Sequence, residues 1–404
     1  MSRHITIYSD DPDKGGVAQY NHRIALALAG LGYRVSLVQS LSTGALATER
    51  AARGIAHCWI RYDTGKEFVR TITETADAEA AFAQLQPDLV LFCDCCPVSN
   101  IAAKQVAIRR GIPFVPVVHF VAPYLAQRFA SCLRVVALQY AQARSVVAVS
   151  SENLGLLASL FGLPAGKGRV VFNGVAPKFF TPRSAAVRRE LRARFQLADD
   201  AIVSLTTARL SAVKLHMLQI AAMEYLMTQA PKLPLVCAWV GEGELRAGLE
   251  AEIGKRGLQD HFLFAGQHAD VEPWYDLADL FTLTSESEGM PLAIMEAMAK
   301  GLPVVATSVS GIPEELGKEG QLLPDPAKDA PGAALLLAQT WLEWSRKPGL
   351  REGVGRRGRA HAEKLFREET MLQNTVAFIE EALAVPAAAD ERPAMAAPEP
   401  AATR

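Results

Sequence analysis

The residues whose types and spacing could do chemistry are concentrated between positions 285 and 315 of this 404-residue chain, in SESEGMPLAIMEAMAKGLPVVATSVSGIPEE. Glu288 leads into Gly289, Met290 and Pro291, and Glu296 follows eight positions later. Proline suits the first turn of a helix, and Leu292, Met295 and Ala299 recur at the spacing of its buried face. One carboxylate leaves a glycine-containing turn, the other sits on the helix, and free amides open the helix between them. That arrangement fits a ligand with hydroxyls at one end and phosphate at the other, as in a sugar nucleotide. It does not fit a glycosidase pair. Eight helical steps of about 1.5 Å separate two Cα atoms by about 12 Å, whereas paired glycosidase carboxyls lie at roughly 5–9.5 Å.

Other candidates surround this segment. Arg209 and Lys214, in ARLSAVK, follow an apolar run and could clamp a diphosphate, Arg through two oxygens and Lys as a point charge. His119 ends PFVPVVH, where a strand's carboxyl end would aim it at a ligand, or where it could be hydrogen-bonded internally. Gly15 and Gly16 open a helix after the first strand. They suit either close approach to a phosphate or simply a tight turn. The dinucleotide fingerprint G-x-G-x-x-G is absent there. Asp11-Pro12-Asp13 has the form of a cation-binding pair, but Asp and Pro together read first as a turn. Asn173-Gly174 is a turn signal with no assigned chemistry. Cys93, Cys95 and Cys96 lack partners at a structural-zinc spacing and read as reduced thiols. No metal site is expected.

Positioning these groups requires strands that end beside them. Apolar runs at 5–8, 35–38, 88–92, 113–118 and 145–149 alternate with helical patterns. The first such pattern is Val17, Tyr20, Ile24, Leu28 and Leu31. The alternation restarts at 202–206 and continues at 235–240, 261–264, 280–284 and 303–306, with a helical stretch at 220–228. Continuous apolar runs fit parallel strands covered on both faces. The fold class is therefore α/β, with two doubly wound, Rossmann-like domains facing across a cleft. The first covers 1–180 and the second 185–362, joined at FFTPRS; an amphipathic helix spans about 368–383. Residues 385–404 are Ala/Pro-rich and read as a disordered tail. Ligands of such sheets bind at the carboxyl ends of strands, so the cleft is the expected site.

Composition narrows the classes. Half the residues are apolar, 21% are charged and the net charge is −1, which gives no general attraction to nucleic acid. No apolar run approaches the roughly 20 residues of a bilayer span. With no signal-peptide pattern and few cysteines, the expectation is a cytoplasmic protein, either free or peripheral at the inner membrane. The segments 104–110 and 129–140, with Arg128 and Arg134, are candidates for weak contact with an anionic membrane, although ordinary helices fit them better.

With these residues assembled, the chain resembles a retaining glycosyltransferase of family 4, which has the GT-B fold. The specific part is EGMPLAIMEAMAKGLPVVAT, the family's E-x7-E signature. GGV, VVH, VAVS, VVFNGV, ARLSAVK, VGEGEL and FAGQHADVEPWYDLADL support it in the family's order. The resemblance implies that Glu288 binds the donor sugar's hydroxyls and Glu296 the ribose. It implies that amides around Gly289, Met290 and Leu292 meet sugar and diphosphate, and that Arg209 and Lys214 neutralise the leaving group. Gly15 and Gly16 would bring an amide to phosphate, His119 would lie near the transferred sugar, and the segment from Gly266 to His268 would hold the base. The helix at 368–383 would cross back to the first domain. The acceptor, a hydroxyl compound of unknown identity, would lie around 97–100 and 121–128.

No cofactor is implied beyond a UDP- or GDP-linked sugar as co-substrate, consumed in glycan, glycolipid or glycoside synthesis. Leu215 stands where the family commonly has glycine, and Ser310-Gly311 where it often has two glycines. The rival expectations are a non-hydrolysing sugar-nucleotide epimerase and a non-catalytic sugar-nucleotide-binding protein.

Overall fold

A computed structural model describes residues 2–11 and 15–384. Pro12, Asp13 and residues 385–404 lie outside these, and with them most of the acidic turn and the whole proposed tail.

The described strands form two sheets. The first contains β1 (His4–Ser9), β2 (Arg34–Ser40), β3 (Ala56–Ile60), β4 (Leu89–Asp94), β5 (Phe114–Val118), β6 (Val146–Ala148) and β7 (Gly168–Val170), in the order β3-β2-β1-β4-β5-β6-β7. The second contains β8 (Ile202–Thr207), β9 (Leu235–Val240), β10 (Phe262–Gly266), β11 (Leu280–Leu283), β12 (Val304–Thr307) and β13 (Gln321–Leu323), in the order β10-β9-β8-β11-β12-β13. Every pairing within the two sheets is parallel. Parallel neighbours need long crossovers, which the intervening helices supply. In both sheets the strand order reverses beside the first strand, at β1/β4 and at β8/β11, so each sheet has its crevice there.

Apolar clusters cover both faces of each sheet. Every residue of β1, β4, β5 and β6 is buried, which is why their sequences are almost unbroken apolar runs. The expected strands are all present. The strands not foreseen, β3, β7 and β13, lie at sheet edges, are partly exposed and carry mixed sequences (AHCWI, GRV, QLL).

The first helix, Gly16–Gly30, buries Tyr20, Ile24 and Leu28. Leu31, expected on the same face, caps the helix instead and is 61% exposed. The C-terminal helix, Glu368–Ala384, buries Met371, Phe378 and Ile379 in one cluster with Tyr20, Ile24 and Val117. It thus packs on the first sheet although it follows the second in sequence. The two chain crossings between the sheets are paired: Val175 bridges Arg367, the Val175 amide donates to the Phe366 carbonyl at 2.8 Å, and the Glu368 amide donates to the Val175 carbonyl at 3.2 Å. Gly174 permits this approach, because a Cβ there would lie 2.7 Å from the Glu368 Cα. Among the described residues no helix is long and apolar enough to cross a membrane.

Candidate active site

The second sheet brings its two expected charged elements together at its crevice. β8 ends before Arg209 and Lys214, and the adjacent β11 ends before the loop carrying Glu288. The Glu288 carboxylate accepts from Lys214 Nζ and, at 2.5 Å, from the Ser285 hydroxyl. The loops are also clipped through the backbone: the Glu286 amide donates to the Val213 carbonyl at 2.8 Å and the Thr284 hydroxyl to the Lys214 carbonyl at 3.1 Å. The Lys214 and Glu288 side chains are 21% and 12% exposed, open enough to meet a ligand but shielded enough for their attraction to count. Arg209 is exposed nearby. Its loop lies on the VGEGEL segment, where a Cβ on Gly241 would sit 2.0 Å from the Ala208 carbonyl oxygen, so only glycine fits. Leu215, at the family's usual glycine position, takes the left-handed backbone conformation itself, with φ of 45°.

Glu296 lies on the helix Leu292–Ala299, and Pro291 occupies the cap just before it. Met295 and Ala299 are fully buried as expected, while Leu292 is only partly so. A Glu296 carboxyl oxygen accepts from the Tyr275 hydroxyl at 2.7 Å, and that hydroxyl also meets Thr207 at 2.7 Å. Burial pushes the Glu296 carboxyl from its usual 4.5 up to about 7, against the opposing pull of Tyr275, Arg23 and Lys178. Tyr275 is a site residue that the sequence reading misses. A tyrosine beside Trp274 at a helix start reads as core, which it also is, packing on Phe281 and Phe179.

The first domain meets this loop directly. Gly15 has φ of +85°, and a Cβ on Gly16 would stand 3.6 Å from the Leu292 side chain, so the glycine turn faces the head of the helix bearing Glu296. A Cβ on Gly289 would fall 1.9 Å from the His119 carbonyl oxygen, and one on Gly311 would fall 2.3 Å from the Gly289 carbonyl oxygen. The imidazole of His119 packs edge-on against Tyr20 at 4.8 Å. Burial lowers its pKa to about 4, so the ring is neutral near pH 7, and Nε2 has no hydrogen-bond partner among the described residues. Three further contacts cross between the domains or support the crossing. Asn173 Nδ2 donates to the Met290 carbonyl at 3.1 Å. Asn153 Nδ2 donates to the His119 carbonyl at 3.5 Å. The Glu314 carboxylate accepts from the Ser151 amide and hydroxyl at 2.7 and 2.6 Å. Ser310, in place of a common glycine, adopts φ of 49°, and its hydroxyl accepts from the Glu288 amide at 3.2 Å.

Gly266 adopts φ of +77° and its carbonyl accepts from the Gly241 amide at 2.9 Å. The His268 ring is turned onto Trp274, 5.1 Å away, with Nε2 3.0 Å from the Ala265 carbonyl. In the first domain, residues 97–100, expected around the acceptor, are buried, whereas the neighbouring Cys95 is partly exposed. Beneath it, Asp10 accepts from the Cys95 amide at 2.9 Å and from the Ser99 hydroxyl at 2.6 Å. Asp94 pairs with Lys104 at 2.5 Å, both fully buried. All six cysteines are free.

Two family models match this chain. Residues 14–179 match Glycosyltransferase Family 4, and residues 201–339 match Glycosyl transferases group 1. The chain is 32% identical over 245 residues to a D-inositol 3-phosphate glycosyltransferase of Kribbella flavida, covering 57% of this chain and 55% of that protein. It is 34% identical over 186 residues to the amylovoran biosynthesis glycosyltransferase AmsK of Erwinia amylovora, covering 43% and 42%. The chain thus spans about half the length of the curated relatives it matches. The structure of Anabaena HepE in complex with UDP superposes with a TM-score of 0.76 at 21% identity, covering 94% of this chain and all of that one. With one family model on each sheet and this fold throughout, the chain belongs to the GT-B glycosyltransferases of group 1 and family 4.

Proposed function

We propose that the chain transfers a hexosyl group from a UDP- or GDP-linked donor to an acceptor hydroxyl, with retention at the anomeric carbon. The observation that carries this reading is the Lys214–Glu288 pair beside the opening of the helix that holds Glu296 eight residues on. Glu288 positions the donor sugar, and Glu296 takes the ribose hydroxyls. Lys214, Arg209 and the helix-opening amides stabilise the charge that grows on the departing phosphate. They supply that charge without a resident metal. Among the described residues no side chain stands out as a covalent nucleophile. The acceptor therefore attacks from the face that the diphosphate leaves, and a phosphate oxygen takes its proton. His119, being neutral, adds polarity beside the sugar without adding positive charge.

A panel of nucleotide sugars read by thermal shift, followed by product analysis with candidate acceptors, tests the reading. The expected result is a new glycoside of retained configuration, release of nucleoside diphosphate, and activity undiminished by a chelator. Isomerised nucleotide sugar with no diphosphate released would establish the epimerase instead. Binding without turnover over a broad acceptor panel would support a sensor.

The location proposed with the transferase reading is cytoplasmic, in keeping with six cysteines that are all free. Of the two segments considered for membrane contact, 104–110 has less support: Lys104 is buried, and Arg109 and Arg110 both pair with Glu79. Arg128, Arg134 and Leu138 are exposed and remain the proposed contact with an anionic surface. Absence of co-sedimentation with anionic vesicles at low salt would dismiss it.

A further inference from the structure

The Asn173-Gly174 turn has no part in the reaction proposed above, yet it joins two remote parts of the molecule. On its downstream side the backbone is fixed to the paired crossings. Arg23 donates to the Gly174 carbonyl at 2.8 Å, and Val175 pairs with Phe366 and Glu368. No side chain would fit at Gly174 against Glu368 and Met371. On the other side, Asn173 reaches across the domain boundary to the Met290 carbonyl, 117 residues away in sequence. It is 9% exposed, and its Oδ1 has no partner among the described residues, so its hydrogen bonding is spent on that donation.

The acceptor of this bond is unusual. The peptide between Met290 and Pro291 has no N–H, so the carbonyl is its one polar group. That peptide is the hinge between the loop carrying Glu288 and the helix carrying Glu296. The Met290 side chain is anchored in the core of the second domain, but the plane of its peptide is held from the first.

We propose that Asn173 is a positioning residue through which domain contact reaches the donor site. When the domains meet, its amide sets the Met290–Pro291 peptide, and with it the direction of the helix-opening amides and of Glu288. When they part, donor and acceptor separate, because they belong to opposite domains. The inference rests on the transfer reaction proposed above and names one residue that makes the donor loop dependent on closure.

The test compares the 404-residue chain with its Asn173→Ala and Asn173→Asp variants. In the Ala variant kcat falls about 10- to 100-fold, the range expected for misplacement of groups near the reaction. UDP affinity stays within about threefold, and amide exchange across 286–296 quickens. The Asp variant keeps the shape, so it preserves the test should the Ala variant fail to fold. Its charged oxygen faces a carbonyl near pH 7, but its protonated form can donate. Its kcat relative to wild type therefore rises as pH falls, a recovery the Ala variant does not make. Unchanged kcat and exchange in the Ala variant, or an Asp variant whose deficit is the same at every pH, would overturn the proposal. If the wild-type chain transfers no sugar, the functional reading fails, and amide exchange alone decides the role of Asn173.

Discussion

Glu296 is a carboxyl whose environment works against its charge. Its pKa rises from 4.5 to about 7, so between those values the folded protein holds a proton that the unfolded chain has released. Its contribution to stability is full below the unfolded value and is lost as pH climbs through about 7. Ribose hydroxyls donating to the carboxylate would favour the charged form. Nucleotide binding is therefore expected to expel a proton near neutral pH, and donor KM to fall as pH rises through about 7. Calorimetry in two buffers of different ionisation enthalpy reads the proton, and Glu296→Gln should abolish both effects.

Lys214 is the complementary case, a cation waiting with a carboxylate partner. Lys214→Ala is expected to lower turnover at saturating donor about a hundredfold or more, as for other lost charge-stabilising donors. Unchanged turnover would reject its role toward the leaving group. Glu288, Glu296 and Lys214 stood out in the sequence by spacing: Lys214 and Glu288 follow apolar strand runs, and Glu296 lies eight residues beyond Glu288 on a helix. Tyr275, Ser310 and Asn173 were not, because what they do is set by a partner 21, 22 or 117 positions away.

At the scale of elements, legibility followed burial. Strands covered on both faces spell themselves out as apolar runs. β3, β7 and β13, half-covered at the margins, have no such constraint on composition. The same reasoning separates Leu31 from its neighbours: spacing puts it on the buried face, but the helix ends there. The glycines after strands carry more than turn geometry. The chain at Gly289 passes so close to the end of β5 that a methyl group has no place. Gly289→Ala should hold the two elements apart, reducing kcat about a hundredfold while leaving each sheet intact. Kinetics and the radius of gyration from small-angle scattering would report it. Normal activity in that variant would mean that the contact plays no part in turnover.

For the whole molecule, the contacts at His119–Gly289, Asn173–Met290 and Ser151–Glu314 join the first domain to the loops after β11 and β12 of the second. The Ser151 amide opens the helix Ser151–Phe161, so Glu314 satisfies that helix end from the neighbouring domain. This grip depends on geometry between domains, which no local sequence pattern encodes. The paired crossings at Val175 and Arg367 have a different consequence. The polypeptide leaves the first lobe and returns to it, so cutting once in the linker cannot yield a finished fragment. A product ending near residue 180 would lack Met371, Phe378 and Ile379, which complete the apolar cluster holding Tyr20, Ile24 and Leu28. It should aggregate on expression and become soluble when residues 366–384 are supplied as a tethered peptide. Solubility without that peptide would show that the returning helix is dispensable.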